Sequence, residues 1–189
     1  MSYFQSPGVA LRIHSMICYR ESREIFDLIC KTNKKVSVSD ASSAFSKLLL
    51  KSEKDREFLF EKLSEINHSL EVSIECLRLD KGVSSIDELA EYNMENYIYC
   101  LNVFSIIDCI CFDLGQDVLG ELYEVNAVCN RLASELVRVI NLCYKNKYGS
   151  NLIVCDGKFP YKAVVREGSS VKERVALLKD KQKASNGKS

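Results

Sequence analysis

Two stretches of the chain repeat apolar side chains at alternating steps of four and three residues. This spacing lines the side chains along one face of an α-helix and is typical of helices that pack at a shallow angle. The first repeat is Leu59, Leu63, Ile66, Leu70, Ser73 and Leu77, with Ser73 as its polar member. The second is Val118, Leu122, Val125, Cys129, Leu132, Leu136, Val139 and Cys143. The sequence therefore predicts two long helices that pack within the domain or, less favoured, against another subunit.

The remaining helices are predicted from their start and stop signals. The first helix is expected from Val9 to about Thr32. The second is expected from Asp40 to Asp80, with a kink or loop near residues 51–55. A capping box from Ser85 to Glu88 indicates the start of a third helix. The fourth is expected from about Gln116 to Lys147.

The third helix passes into an almost wholly apolar run from Ile98 to Leu114. A helix that is apolar all round is typical of the centre of a domain. A membrane span is the weaker alternative, because the run has about 17 residues and includes Asn102, Ser105 and Asp108. Since an unpaired buried carboxylate is costly, Asp108 is expected to have a partner or a raised pKa. Asp108 indicates either a specific polar contact or a more solvent-exposed side of the helix.

The pattern changes after the fourth helix. Leu152 to Cys155 and Lys158 to Arg166 favour strands, and Asp156-Gly157 between them is a turn signal. A capping box at Ser170 predicts a short helix to about Asp180. The expected fold is mainly α: a four- to five-helix bundle (1–149), a small C-terminal β-hairpin with a short terminal helix (150–180), and a disordered basic tail (181–189).

Composition restricts the compartment and the partners. The 26 basic and 26 acidic residues give a net charge of +0, so no overall field favours nucleic acid or an anionic membrane. The nine cysteines are an odd number, and Met1 to Val9 has neither the basic start nor the apolar run of a secretory signal. We therefore expect free, mostly buried thiols and a reducing, cytoplasmic location. Those on apolar helical positions are Cys100, Cys109, Cys111, Cys129 and Cys143.

Two acidic groups could bind a metal ion. The pieces Asp87-Glu88-x-x-Glu91 and Glu121-x-x-Glu124 resemble the acidic motifs of the all-α nucleoside triphosphate pyrophosphohydrolases. Asp87 and Glu124 depart from that family's residues, and the gap between the pieces is long for it. The resemblance implies Mg²⁺ at Glu88, Glu91, Glu121 and Glu124 and hydrolysis of a nucleoside triphosphate to the monophosphate. The alternative, a solvated acidic helix face, is favoured.

Basic residues cluster in two places and could contact a phosphate backbone. The candidates are Lys31, Lys34, Lys35, Lys172, Arg174, Lys179, Lys181 and Lys183. Some viral RNA-silencing suppressors are small, oligomeric, helical RNA binders, which is an analogy of architecture only. The alternative is a solvated tail.

The two histidines give no complete catalytic or metal set. Glu65-x-x-His68 matches one metal-binding unit of di-iron helical bundles, but those bundles need two units, and no Glu precedes His14 by three residues. A surface histidine beside a glutamate is the favoured interpretation. The leading function is a non-enzymatic, oligomeric helical assembly protein that binds protein partners or itself. No cofactor is expected, except Mg²⁺ under the hydrolase alternative, and no membrane.

Overall fold

The computed structural model describes residues 7–31, 38–79, 94–155, 163–165 and 187, and in these the protein is mainly helical, as predicted. The helices are α1 (Pro7–Lys31), α2 (Val38–Lys51), α3 (Glu53–Leu79), α4 (Met94–Leu114), α5 (Gln116–Leu119) and α6 (Glu121–Tyr148). Helix α1 packs against α3 and α4, and α3 also packs against α6. The capping box at Ser85 lies outside the described residues.

The break between α2 and α3 falls at Ser52, inside the segment where the sequence predicts a kink or loop. The Ser52 hydroxyl accepts a hydrogen bond from the backbone N–H of Asp55 at 3.3 Å, which caps the start of α3. Arg56 donates to the carbonyl of Leu49 at 2.6 Å and so caps the end of α2. Local hydrogen bonds therefore cap both helix ends at this junction.

The predicted apolar face of α3 is confirmed, because all six of its side chains are buried. Its polar member, Ser73, lies within hydrogen-bond distance of the hydroxyl of Tyr97 on α4, at 2.6 Å. The Ser73 hydroxyl also donates to the carbonyl of Ser69 at 2.6 Å. A serine is tolerated in this core because its hydroxyl has partners there.

The predicted fourth helix is wrong in two respects. It is divided at Gly120, whose positive φ of 53° separates α5 from α6. Its buried face is also rotated: Leu122, Cys129, Leu136 and Val139 are buried as predicted, but Asn126, Ala133, Ile140 and Tyr144 complete the stripe. The other expected positions lie at its margin or outside it, with Val125, Leu132 and Cys143 half-buried and Val118 exposed.

Helix α4 lies against α1, α2 and α6 and contributes much of the core. It is not covered on every side, because Phe112 is 74% exposed, so the expectation of complete burial is wrong. By length and composition alone α4 could cross a bilayer, and among the described residues it is the single helix that could. Half of its most apolar window is buried against the protein, and a core helix meets the same criterion.

Two short strands follow α6. Strand β1 (Ile153–Cys155) pairs antiparallel with β2 (Ala163–Val165), with Val154 opposite Val164. Cys155 lies opposite Ala163, which leaves residues 156–162 between the strands, so the prediction of a two-residue turn at Asp156-Gly157 is wrong. The short terminal helix and the tail, apart from residue 187, lie outside the described residues. The Asn141 side chain on α6 holds β1: its oxygen accepts from the N–H groups of Leu152 and Ile153, at 3.0 and 2.8 Å, and its amide donates to the Ile153 carbonyl at 2.9 Å.

Replacing Asn141 with alanine is expected to detach β1 from α6 and to lower the free energy of unfolding by about 1.5 kcal/mol, because three backbone groups lose their partner. Amide hydrogen exchange should show faster exchange at Leu152 and Ile153, with the α3 amides unchanged. Asn141→Asp is the matched control, since it keeps the acceptor and loses the donor to the Ile153 carbonyl. Equal exchange rates at Leu152 in the alanine variant and the wild type would contradict this role of Asn141.

Candidate functional site on the first helix

Helix α1 carries two apolar stripes on opposite sides. One faces the core and includes Leu11, Cys18, Ile25 and Ile29, all of which are buried. The other faces outward: Val9 is 43% exposed, Ile13 40% and Met16 60%. Exposed apolar side chains scattered singly are normal, but these three follow one another at steps of four and three. We call Val9, Ile13 and Met16 the outer stripe.

The outer stripe borders an open groove between α1 and the start of α4. Its lining is Arg12, Ile13, Met16, Ile17, Tyr19, Arg20 and Asn96. Arg12 and Arg20 are exposed, and none of the described lining residues is acidic. The groove therefore combines an apolar floor with two exposed arginines, of which Arg20 also pairs with Glu21, and this combination suits a ligand that is apolar and acidic.

A buried ion pair fixes α1 to α3 beside this groove. The Glu21 carboxylate is almost fully buried, and Lys62 Nζ lies 2.8 Å from its Oε2. Arg20 Nε donates to its Oε1 at 2.9 Å. Lys62 also contacts Glu24. Burial acts to raise the pKa of Glu21, but the hydrogen bonds and charges of Lys62 and Arg20 outweigh it and lower that pKa.

Asp108 has the partners that the sequence led us to expect. Asn130 on α6 donates to its Oδ1 at 2.6 Å, and the buried Asn126 donates to the same oxygen at 3.4 Å. Burial raises the pKa of Asp108, although the hydrogen bond from Asn126 opposes the shift. The group thus joins α4 to α6 through amide donors. It lies on a different pair of helices from the groove.

A surface carboxylate, Glu135, bridges α3 and α6. Arg138 holds it through two hydrogen bonds of 2.7 and 2.9 Å, and Arg78 contacts the same group. These arginines lower the pKa of Glu135 to about 2. A carboxylate held ionised in this way is poorly suited to act as a general acid or base near neutral pH.

The predicted metal and nucleic-acid residues fall mostly outside the described residues. Glu88 and Glu91 lie there, whereas Glu121 and Glu124 are exposed on the first turn of α6. Among the basic candidates, Lys31 is the exposed last residue of α1. The others lie outside the described residues: Lys34, Lys35, Lys172, Arg174, Lys179, Lys181 and Lys183. Magnesium-dependent hydrolysis and nucleic-acid binding therefore stay predictions.

The cysteines whose side chains the structure describes form no disulfide bonds. Cys100, Cys111 and Cys129 are buried and Cys143 is half-buried, as expected, while the side chain of Cys109 is outside those described. Burial raises the pKa of the Cys111 and Cys129 thiols to about 12. Thiols with such pKa values are protonated near neutral pH and are poor nucleophiles.

Sequence reasoning did not identify the outer stripe or the Glu21–Lys62 pair. The spacing of Val9, Ile13 and Met16 was available as a signal, but it accompanies a second apolar stripe on the same helix. Within the described ranges, no group of three or more His, Cys, Asp or Glu side chains is placed to hold a metal ion. Comparisons with protein-family models, curated proteins and solved structures find no match for this chain.

Proposed function

We propose that this protein is a non-enzymatic helical assembly protein that binds a partner helix along the outer stripe of α1. The observation that carries the proposal is the exposure of Val9, Ile13 and Met16 in one row, on the side of α1 opposite its core face. Burying such a row against a second helix releases water from apolar surface, at about 25 cal/mol for each Å². Helix-in-groove recognition uses anchors with this same spacing.

The charges beside the stripe favour a partner with acidic flanks. Arg12 and Arg20 lie along the groove. A second copy packed α1 against α1 would bring arginines near arginines, which opposes association. A partner helix with an apolar face bordered by Glu or Asp would place its carboxylates beside them. We therefore propose a different protein as the partner, whereas the sequence also allowed association with a second copy of this chain.

The test uses a designed amphipathic peptide with leucines at helical spacing and glutamates on its flanks, and a matched peptide with lysines on its flanks. The chain has 3 methionines, and Met16 is exposed whereas Met94 is buried. Methionine-methyl NMR can therefore report on the stripe directly. We expect the acidic peptide to shift the Met16 signal and to bind at least about tenfold more tightly than the basic one, a difference of about 1.4 kcal/mol.

Two variants distinguish binding at the outer stripe from nonspecific binding to exposed apolar side chains. Met16→Glu should abolish binding, whereas Leu142→Glu should leave it unchanged, because Leu142 is similarly exposed at 51% but lies on α6. Equal binding of both peptides would overturn the proposal. So would a concentration-dependent dimer in light scattering that Met16→Glu dissociates, since the stripe would then bind a second copy. Contacts of Met16 with residues 80–93 of the same chain would also overturn it.

We also propose the finer architecture and the location predicted from the sequence. The arrangement is a four- to five-helix bundle with a C-terminal β-hairpin. The packing of α3 between α1 and α6 and the antiparallel pairing of β1 with β2 support it. The buried free thiols support a reducing, cytoplasmic location.

A further inference from the structure

The two histidines of the chain lie together although they are far apart in sequence. His14 projects from α1 and His68 from α3, and their ring centres are 5.9 Å apart in an edge-to-face arrangement. His68 is exposed and His14 is half-buried. The sequence favoured a surface role for His68 beside Glu65 and did not indicate that the two histidines meet. Their contact lies at the side of α1 that packs on α3.

The hydroxyl of Ser69 fixes the ring of His14. Its oxygen lies 3.1 Å from Nδ1 of His14, and Ser69 itself is buried on α3. That contact occupies one ring nitrogen and leaves Nε2 for another ligand. Metal-binding histidines are commonly oriented in this way, with one nitrogen held by a neighbouring polar group.

The separation of the rings suits two ligands of one metal ion. A zinc–nitrogen bond is about 2.1 Å long. At a tetrahedral angle, two imidazoles bound to one zinc ion place their ring centres about 5.3 Å apart. The observed 5.9 Å exceeds this by little more than half an ångström. The rings lie edge to face, so the exposed ring of His68 must rotate until one of its nitrogens meets the same ion as Nε2 of His14.

We propose that His14 and His68 form a binding site for Zn²⁺ or a chemically similar transition-metal ion. Imidazole nitrogen suits zinc, nickel and copper, whereas Mg²⁺ prefers oxygen ligands. The described residues supply no third His, Cys, Asp or Glu to such a group, so water completes the coordination. The ion links α1 to α3 and stabilises their packing. With two protein ligands the site is weaker than a four-ligand structural zinc site.

Histidine-selective NMR of the full chain tests this site with ZnCl₂ as the probe. Because the chain has 2 histidines, the imidazole spectrum contains two sets of signals. We expect both sets to shift together and to saturate near one equivalent. The unfolding temperature should rise by about 3 to 5 °C when free zinc exceeds the dissociation constant tenfold. MgCl₂ at the same concentration should shift neither set.

The variant His68→Gln separates this site from the cysteines, which it leaves in place. The substitution is at an exposed position, and circular dichroism verifies that the variant folds. We expect zinc to leave its His14 signals unshifted and to raise its unfolding temperature no further than magnesium does. If zinc still shifts the His14 signals in His68→Gln, or stabilises that variant as much as the wild type, the proposal is overturned. A shift of only one histidine in the wild type also overturns it.

Discussion

Replacing Tyr97 with alanine is expected to lower the free energy of unfolding by about 4 kcal/mol, the largest effect that we predict for one side chain. Tyr97 is among the largest fully buried side chains and lies where α4 meets α1 and α3. Its removal leaves a cavity that rigid helices on two sides cannot fill, in addition to losing the transfer free energy of the ring. Urea unfolding followed by circular dichroism measures the difference.

The variant Tyr97→Phe isolates the hydroxyl from the ring. The hydroxyl lies 2.6 Å from the Ser73 hydroxyl and donates to the Leu11 carbonyl at 3.4 Å. We expect a loss of about 1 kcal/mol, because Ser73 keeps its hydrogen bond to the Ser69 carbonyl. The double variant Tyr97→Phe/Ser73→Ala should cost less than the sum of the single ones, since both partners are removed together. If Tyr97→Phe costs as much as Tyr97→Ala, the cavity argument is wrong.

The sequence predicted α3 well because its pattern has no competitor. Its six-residue repeat uses large side chains at every position except Ser73, and each of them is buried. The break before α3 was also predictable from the polar residues around Ser52. The partner of Ser73 was not, because Tyr97 lies 24 residues away and belongs to another helix. Periodicity identifies the face of a helix but not what that face contacts.

The α6 prediction failed where the pattern offered two faces. Leu122, Cys129, Leu136 and Val139 are buried as predicted. The two faces differ in whether Val125 and Leu132 or their neighbours Asn126 and Ala133 are buried. Val125 and Leu132 are the larger apolar residues and were predicted to be buried, yet Asn126 and Ala133 are buried instead. A small residue permits close approach of the helices, and Asn126 reaches Asp108 on α4. Tertiary contact thus overrides the simple count of apolar residues.

The candidate site was less predictable than the fold, for a related reason. Helix α1 has apolar residues on two opposite sides, and the sequence alone cannot tell which of them faces the core. The structure resolves this because Leu11 and Cys18 are buried while Ile13 and Met16 are exposed. The meeting of His14 with His68 likewise depends on how α1 lies against α3. Such pairings arise from packing between helices, which local patterns do not encode.

Replacing Lys62 with methionine is expected to lower the free energy of unfolding by about 3 kcal/mol near neutral pH, because Glu21 then remains buried with one cation fewer. The value is at the low end for a broken buried pair, since Arg20 still donates to the Glu21 carboxylate. Lys62→Arg keeps the charge and should cost less than the methionine variant. The double variant Glu21→Gln/Lys62→Met removes both charges and should recover much of the loss. Urea unfolding of these four proteins and of the single variant Glu21→Gln measures the coupling energy of the pair.

The pH dependence separates charge from packing in this pair. The lowered pKa of Glu21 means that its carboxylate stabilises the fold above the unfolded value of 4.5, and this stabilisation is lost as the pH falls through the folded value. In Lys62→Met the pKa of Glu21 should rise. Protonation of Glu21 in acid then removes an unfavourable buried charge from the variant, whereas in the wild type it removes a favourable ion pair. The difference between the two proteins should therefore be widest near neutral pH and should narrow in acid. A difference that stays constant from neutral pH into acid would instead assign the effect to lost packing of the Lys62 stem over Phe58, whose ring centre lies 5.3 Å from Nζ.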